Sequence, residues 1–159
     1  MSKQKLLALA EEISELNDKI RKVFNEGLKE YSQEIFTNNP KIKGFSWTQY
    51  TPYFNDGAPC EFGINNSCIR VLINDTDGYL DLDYEVIKRV GDWNSNKFEI
   101  SEEVKDIINL DEAYKIQKDI DDFISNAILP FENQVQSLLG EGEVFVTPDG
   151  IEVEDYDHD

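Results

Sequence analysis

The sequence predicts one α+β domain in which an antiparallel β-sheet meander packs against two long helices, followed by a small C-terminal hairpin. Apolar residues recur at helical spacing in the first 37 residues and again after residue 110, and they alternate with polar residues in between. A chain of 159 residues has the usual size of one domain. We therefore expect a single domain over residues 1–154 and an acidic tail over residues 155–159.

The first element is a long helix predicted over about residues 3–37. Its main apolar row advances in alternating steps of three and four and is called the N-terminal stripe here: Leu6, Leu9, Ile13, Leu16, Ile20 and Val23. A second row follows at Phe24, Leu28, Tyr31 and Ile35. A stripe this narrow suits lengthwise packing against another helix. Pro40 ends the helix, because proline lacks the N–H that a continuing helix needs.

A second long helix is predicted over about residues 111–139, with Pro130 kinking or splitting it and Gly140 just past its end. We expect this helix to pack on the N-terminal stripe of the same chain, which predicts a monomer. The alternative is a dimer in which the stripes of two chains pack together. A short helix over residues 102–109 is predicted from Ser101, which suits the N-cap position.

Between the helices the apolar period changes to two, which predicts strands. Residues 69–73 and 79–84 form a hairpin around the turn residues 75–78. Further strands are predicted near 43–50, 60–65, 85–90 and 97–100. The last hairpin pairs 144–147 with 151–153 across Pro148-Asp149-Gly150.

The net charge of -18 is confined to the second half of the chain. Residues 1–70 hold 9 of the 15 basic and 9 of the 33 acidic side chains, which leaves 6 and 24 for residues 71–159. Such a field repels nucleic acid and anionic membranes and attracts basic surfaces. No apolar run is long enough for a membrane span and no signal-peptide pattern occurs, so we expect a cytoplasmic protein. Cys60 and Cys68 are expected to be free thiols.

No catalytic residue, metal ligand set or cofactor is predicted. The only histidine, His158, lies in the tail, so Ser-His-Asp and Cys-His mechanisms lack a base. No glycine loop has the lysine and flanking elements of a phosphate site. The acids of the hairpin are Asp75, Asp77, Asp81 and Asp83. They do not fit a calcium loop, because Ile73 and Tyr84 would occupy its first and twelfth positions.

Carboxylates held on rigid elements of the acidic half form the first candidate binding surface. Fixed carboxylates can imitate the phosphate spacing of a nucleic-acid backbone and occupy the basic groove of a nucleic-acid-binding protein. The alternative is a solvated face that only keeps the protein soluble. The candidate residues are Asp119, Asp121, Asp122, Glu141, Glu143, Glu152, Glu154 and Asp155.

An aromatic stretch over residues 45–62 forms the second candidate surface. Aromatic side chains with polar tips offer a large contact area at low entropic cost. Alternation along the stretch equally predicts that one set of side chains fills the core. The candidate residues are Trp47, Gln49, Tyr50, Tyr53, Asn55 and Asp56.

The segment WTQYTPYFNDG-x-P-C-E-F at residues 47–62 resembles a segment of small uncharacterised proteins of bacteriophages and their bacterial hosts. The resemblance carries no activity. It implies a phage or mobile-element origin, and small acidic proteins of that kind act by binding a host factor.

Three functional hypotheses follow. The leading one is a non-enzymatic acidic protein, phage-encoded, that binds a basic, nucleic-acid-binding surface of a host protein as an inhibitor or nucleic-acid mimic, without contacting nucleic acid or membrane itself. The alternative is a protein- or ligand-recognition module that uses the aromatic loop, with acidity serving solubility. A third is a metal-dependent carboxylate enzyme.

Overall fold

The computed structural model describes residues 2–52, 57 and 60–156. Over these residues the predicted α+β class is confirmed: the chain has three α-helices, a five-stranded antiparallel sheet and a separate two-stranded sheet. The helices are α1 (Ser2–Asn38), α2 (Leu110–Phe123) and α3 (Glu132–Leu139). The strands are β1 (Ile42–Tyr50), β2 (Gly63–Ile73), β3 (Leu80–Asp81), β4 (Ile87–Arg89), β5 (Phe98–Ile100), β6 (Gly142–Thr147) and β7 (Gly150–Glu154).

The five-stranded sheet has the order β3-β2-β1-β6-β7, in which only β1, β2 and β3 form the predicted meander. β1 is the central strand, and the C-terminal hairpin β6–β7 joins its free side by antiparallel pairing of Trp47 with Val144. β4 and β5 pair only with each other. β6 can occupy this inner position because Val144 and Val146 are fully buried and continue the apolar face of β1.

Two predicted elements take a different local form. The predicted strand 79–84 ends after Asp81, and a π-helical turn follows over Leu82–Val86. Leu82 and Val86 are both buried, and their four-residue spacing puts them on one side of a helical turn as it would on one face of a strand. The predicted helix 102–109 is a series of turns, although the Ser101 hydroxyl accepts a hydrogen bond from the Glu103 N–H at 3.3 Å.

The second helical region divides around Pro130. α2 begins at a capping box in which the Asn109 side chain accepts a hydrogen bond from the Glu112 N–H and the Glu112 carboxylate accepts one from the Asn109 N–H. A π-helical turn over Ile124–Ile128 and a 3₁₀ turn over Leu129–Phe131 lead into α3. Gly140, with φ of 76°, ends α3.

The core lies between the sheet and the helices. The rings of Phe45 and Trp47 on β1 are fully buried and lie 5.5 and 6.2 Å from the ring of Phe123 on α2. Tyr31 of α1 meets Phe123 edge-on at 5.0 Å. The C-terminal parts of α1 and α2 therefore pack on one face of the sheet, which is called the inner face here.

The N-terminal stripe is not covered by the second helical region, contrary to our expectation. All residues from 2 to 23 are exposed, although Leu16, Ile20 and Val23 border an open groove beside Phe131, whose ring lies 5.2 Å from that of Phe24. The helical region after residue 110 is broken into short pieces, and it lies beside only the last part of the stripe. The stripe therefore stays open to solvent.

Candidate binding surface on the outer face of the sheet

The outer face of the sheet, opposite α2, carries an ion pair whose carboxylate is buried and whose guanidinium is partly exposed. Arg70 on β2 points its guanidinium at the Glu143 carboxylate on β6, with Nη1 3.0 Å from Oε2. The Ser46 hydroxyl on β1 donates to the same oxygen at 2.7 Å. Since the Glu143 side chain is only 11% exposed, these contacts replace the water that its charge loses on burial.

Two further acids extend this site to the edge of the sheet. In the β6–β7 ladder, Glu154 lies directly opposite Glu143, and Glu152 lies opposite Phe145 on the same face. Both Glu152 and Glu154 are exposed. Like charges directly opposite each other destabilise a β-ladder, so this arrangement has an energetic cost. The three glutamates make this part of the outer face negative.

The pKa of Tyr79 is affected by its burial beside these glutamates. Its ring packs edge-on against Phe145 at 5.0 Å, and its Cζ and hydroxyl lie where a side chain at Gly44 would have to go. Burial raises the pKa of Tyr79 above its usual value; Glu143, Glu154 and Glu152 raise it further, and Arg70 opposes them. A phenol that is harder to ionise is the expected consequence of burial first and of the neighbouring negative charges second.

Two other predicted acids lie near the ends of the C-terminal hairpin. Glu141 is exposed just before β6, and its carboxylate accepts a hydrogen bond from the Thr51 N–H. Asp155 is exposed just after β7. Glu141 therefore fastens the end of β1, whereas Asp155 extends the exposed acids of β7.

The acids predicted on the second long helix lie apart from this face, on the surface of α2. Asp119 accepts a hydrogen bond from the Asn39 amide at 2.8 Å, and Asp122 pairs with Lys118 at 2.7 Å. Asp121 is exposed, and its pKa is raised by partial burial, then by the charges of Asp83 and Asp122. The eight predicted acids therefore do not form one continuous surface, because α2 covers the inner face and β7 presents its acids on the outer one.

Glu143 also differs from our expectation of a surface-binding residue. Its carboxylate is already occupied by Arg70 and Ser46, so its role is to hold strands β1, β2 and β6 together. The sequence offered one signal for this: Ser46 and Arg70 alternate with buried residues, which places polar side chains on the outer face. Their pairing with Glu143 needs the β1–β6 contact, which spans nearly 100 residues of chain.

The aromatic surface loses two of its predicted members to the core. Trp47 and Gln49 are 0% exposed. The Trp47 indole N–H donates to the Gln49 side-chain oxygen at 2.9 Å, and the Gln49 amide donates to the Gly140 carbonyl at 2.7 Å. Both side chains therefore brace the sheet against the end of α3 and offer no surface to a partner.

The remaining aromatic candidates are placed as follows. Tyr50 is half-buried and stacks on Tyr156, with ring centroids 5.6 Å apart. Tyr53, Asn55 and Asp56 lie outside the described residues.

No group of three or more His, Cys, Asp or Glu side chains that could hold a metal ion occurs among the residues that the structure describes. His158 lies outside them. Of the hairpin acids, Asp75 adopts a positive φ of 65° in the turn, and burial followed by the neighbouring Glu85 raises the pKa of Asp81. Asp83 accepts a hydrogen bond from Gln117 at 2.6 Å and so faces α2.

The fold and the outer face define the class of this chain as an acidic α+β protein with a negatively charged sheet edge. No protein-family profile, curated protein or solved structure matches it. The resemblance of residues 47–62 to phage and bacterial proteins stays a prediction. Within the described ranges, none of the helices has the length and apolar character that a membrane span requires.

Proposed function

We propose that this chain is a non-enzymatic binding protein whose sheet-edge acids engage a basic, nucleic-acid-binding surface of another protein and inhibit or modulate it. The sheet-edge acids are Glu152, Glu154 and Asp155. The observation that supports this proposal is the position of Glu154 directly opposite Glu143, with Glu152 on the same face.

The arrangement is unfavourable for the isolated fold. Arg70 neutralises Glu143, but neither Glu152 nor Glu154 forms an ion pair with another described residue. Proteins retain local violations of folding rules mainly where function requires them. A cationic partner would relieve the repulsion between these glutamates, which adds to its affinity.

Basic side chains of the second half are largely engaged elsewhere. Lys105 and Lys118 pair with nearby acids on their own elements. Arg89 donates to the backbone carbonyls of Trp93 and Ser95, and Lys115 donates to that of Asn38. The excess of negative charge is therefore not balanced within the fold and stays available to a partner.

The spacing of the exposed carboxylates suits a surface that normally binds phosphates. Residues on one face of a strand are two apart, which places the Cα atoms of Glu152 and Glu154 about 6.8 Å from each other. Phosphates of one DNA strand advance by about 3.4 Å per nucleotide along the axis and also turn about it, so successive phosphates lie farther apart than this rise, at a separation comparable to that of the two residues. Lysine and arginine side chains arranged for a phosphate backbone can then meet both carboxylates.

The test is affinity capture from a bacterial cell extract, chosen because of the resemblance of residues 47–62. The wild-type chain, the variant E152K/E154K and the control variant E11K/D18K are immobilised in parallel. The control makes the same change in net charge on the exposed surface of α1. We expect wild type and control to retain the same basic protein, and duplex DNA to elute it at constant ionic strength.

We expect E152K/E154K to bind that protein about 30-fold more weakly, from about 1 kcal/mol for each attraction replaced by a repulsion. If this variant retains the protein equally well, the proposal is contradicted. The glutamates would then only keep the edge strand β7 from pairing with strands of other molecules. Retention that DNA does not disturb would contradict the assignment of the partner surface.

A further inference from the structure

α1 carries an apolar surface that no other described part of the chain covers. The side chains of the N-terminal stripe are between 42% and 64% exposed. Most helical stability in proteins comes from the packing of an apolar face, so an unpacked helix is marginally stable in water. The C-terminal half of the stripe, at Leu16, Ile20 and Val23, lines an apolar groove of about 560 Å³ together with Ala127 and Phe131.

The stripe has the heptad spacing of a two-helix interface. Leu6, Ile13 and Ile20 occupy the first core position of the heptad, called a, and Leu9, Leu16 and Val23 occupy the second, called d. The residues just before each a position, called g, flank the core. They alternate in charge along the helix: Lys5, Glu12, Lys19 and Glu26.

We propose that the N-terminal stripe is a homodimer interface in which the α1 helices of two copies pack antiparallel. In the arrangement that pairs all six core residues, Leu6 of one copy meets Val23 of the other. Leu9 then meets Ile20, and Ile13 meets Leu16. Each of these three contacts occurs twice by symmetry, as a two-fold dimer requires.

Charge complementarity identifies the occupant of the stripe as a second copy. In this register the g residues of the two helices face each other with an axial offset of about 3 Å. Lys5 of one copy faces Glu26 of the other, and Glu12 faces Lys19, so all four flanking contacts are attractive. Within the described part of the chain, none of these four side chains forms an ion pair.

The same charges disfavour the other registers. A shift of one heptad towards the N-termini brings Lys5 of one copy against Lys19 of the other, and it brings the two Glu12 side chains together. A shift of one heptad the other way brings Glu12 of one copy against Glu26 of the other, and it brings the two Lys19 side chains together. The alternation of charge therefore specifies one antiparallel register by attraction in it and repulsion in its neighbours.

A parallel pair gains nothing from these charges. In a parallel coiled coil each g residue faces the residue that follows a d position in the other helix. Those residues are Ala10, Asn17 and Phe24, which carry no charge. The antiparallel register also brings the first turn of each α1 to the groove beside Phe24 and Phe131 of the other copy, because Leu6 lies level with Val23.

The test is the molar mass in solution, measured by sedimentation equilibrium over a wide range of concentrations. We expect the wild type to reach twice its chain mass of 18.3 kDa. The variant K5E/K19E has four acidic g residues and E12K/E26K has four basic ones, so each alone is expected to be monomeric. Their equimolar mixture is expected to restore a dimer.

The control E11K/D18K makes the same charge change as E12K/E26K on the opposite face of α1, and we expect it to remain a dimer. A wild type that is monomeric at every concentration would overturn the proposal. A dimer that both g-position variants retain would overturn the antiparallel arrangement. Circular dichroism, recorded at a concentration above the dissociation constant of the wild-type dimer, shows whether each variant is still folded. A lower molar mass is then not mistaken for unfolding.

Discussion

Substitution of Arg70 by methionine tests whether the outer-face ion pair holds the sheet together. Arg70→Met keeps most of the apolar stem but leaves the Glu143 carboxylate with only the Ser46 hydroxyl as a partner. Breaking a buried ion pair costs about 3–5 kcal/mol, and a hydrogen bond to a charged group contributes about 1.5–3 kcal/mol. The Arg70 side chain is 39% exposed, so water can reach the vacated space. We therefore expect a loss of about 2–3 kcal/mol in the free energy of unfolding.

A double-mutant cycle with Glu143→Gln separates the pair from its surroundings. Glutamine keeps an oxygen for Ser46 and removes the charge opposite Glu154, so this variant is expected to lose only about 1 kcal/mol. The coupling energy between the two sites is expected to be about 1.5 kcal/mol or more. Urea unfolding followed by tryptophan fluorescence measures it, since Trp47 is buried in the core.

An exposed ion pair provides the control for this cycle. Lys118 and Asp122 have side chains that are 74% and 48% exposed, and Lys118→Met should cost under about 0.5 kcal/mol. If Arg70→Met is no more destabilising than this control, or if the coupling energy is near zero, the ion pair does not stabilise the sheet and the reasoning is refuted.

Three further predictions concern single polar groups. Thr48→Val should leave stability unchanged or raise it by up to about 1 kcal/mol, because the buried Thr48 hydroxyl has no hydrogen-bond partner among the described residues. A lower free energy of unfolding in urea would show that the hydroxyl does have a hydrogen-bond partner. Asn109→Ala should cost about 1 kcal/mol through loss of the α2 capping box, measured in the same way, and an unchanged midpoint would contradict this role. Asp121→Asn should stabilise the fold at neutral pH by about 0.5 kcal/mol or less. Because the pKa of Asp121 is raised in the fold, its charged form opposes folding above that pKa, so the gain should disappear as the pH falls below the usual aspartate pKa; a gain that persists in acid would contradict the cause.

The sequence predicted the elements whose signals are local. The long apolar rows of α1, the apolar spacing of α2 and the turn at Pro148-Asp149-Gly150 all act over a few residues. The order of the sheet depends instead on which apolar strand face fits against β1, and β6 reaches it from the far end of the chain. Periodicity also misassigned residues 82–84, where alternation predicted a strand, because the four-residue spacing of Leu82 and Val86 fits one face of a strand as well as a helical turn.

The sequence shows which acidic residues could form the candidate surface, but it does not show where in the fold they lie. The excess of acid after residue 70 is evident in the sequence, but the division between α2 and β7 follows from the two faces of the sheet. The N-terminal stripe shows the same limit, because heptad spacing indicates that a partner is needed without saying which chain supplies it. Only the packing of α1 on the body shows that residues 2–23 are left uncovered.

The salt dependence of partner binding tests the functional proposal most directly. The affinity of the captured protein is measured at increasing ionic strength for the wild type, E152K/E154K and the control E11K/D18K. The account predicts that affinity falls steeply with salt for wild type and control, and that it starts lower and falls less for E152K/E154K, because the two sheet-edge charges no longer attract the partner. Parallel salt curves of equal affinity for all three proteins would contradict it.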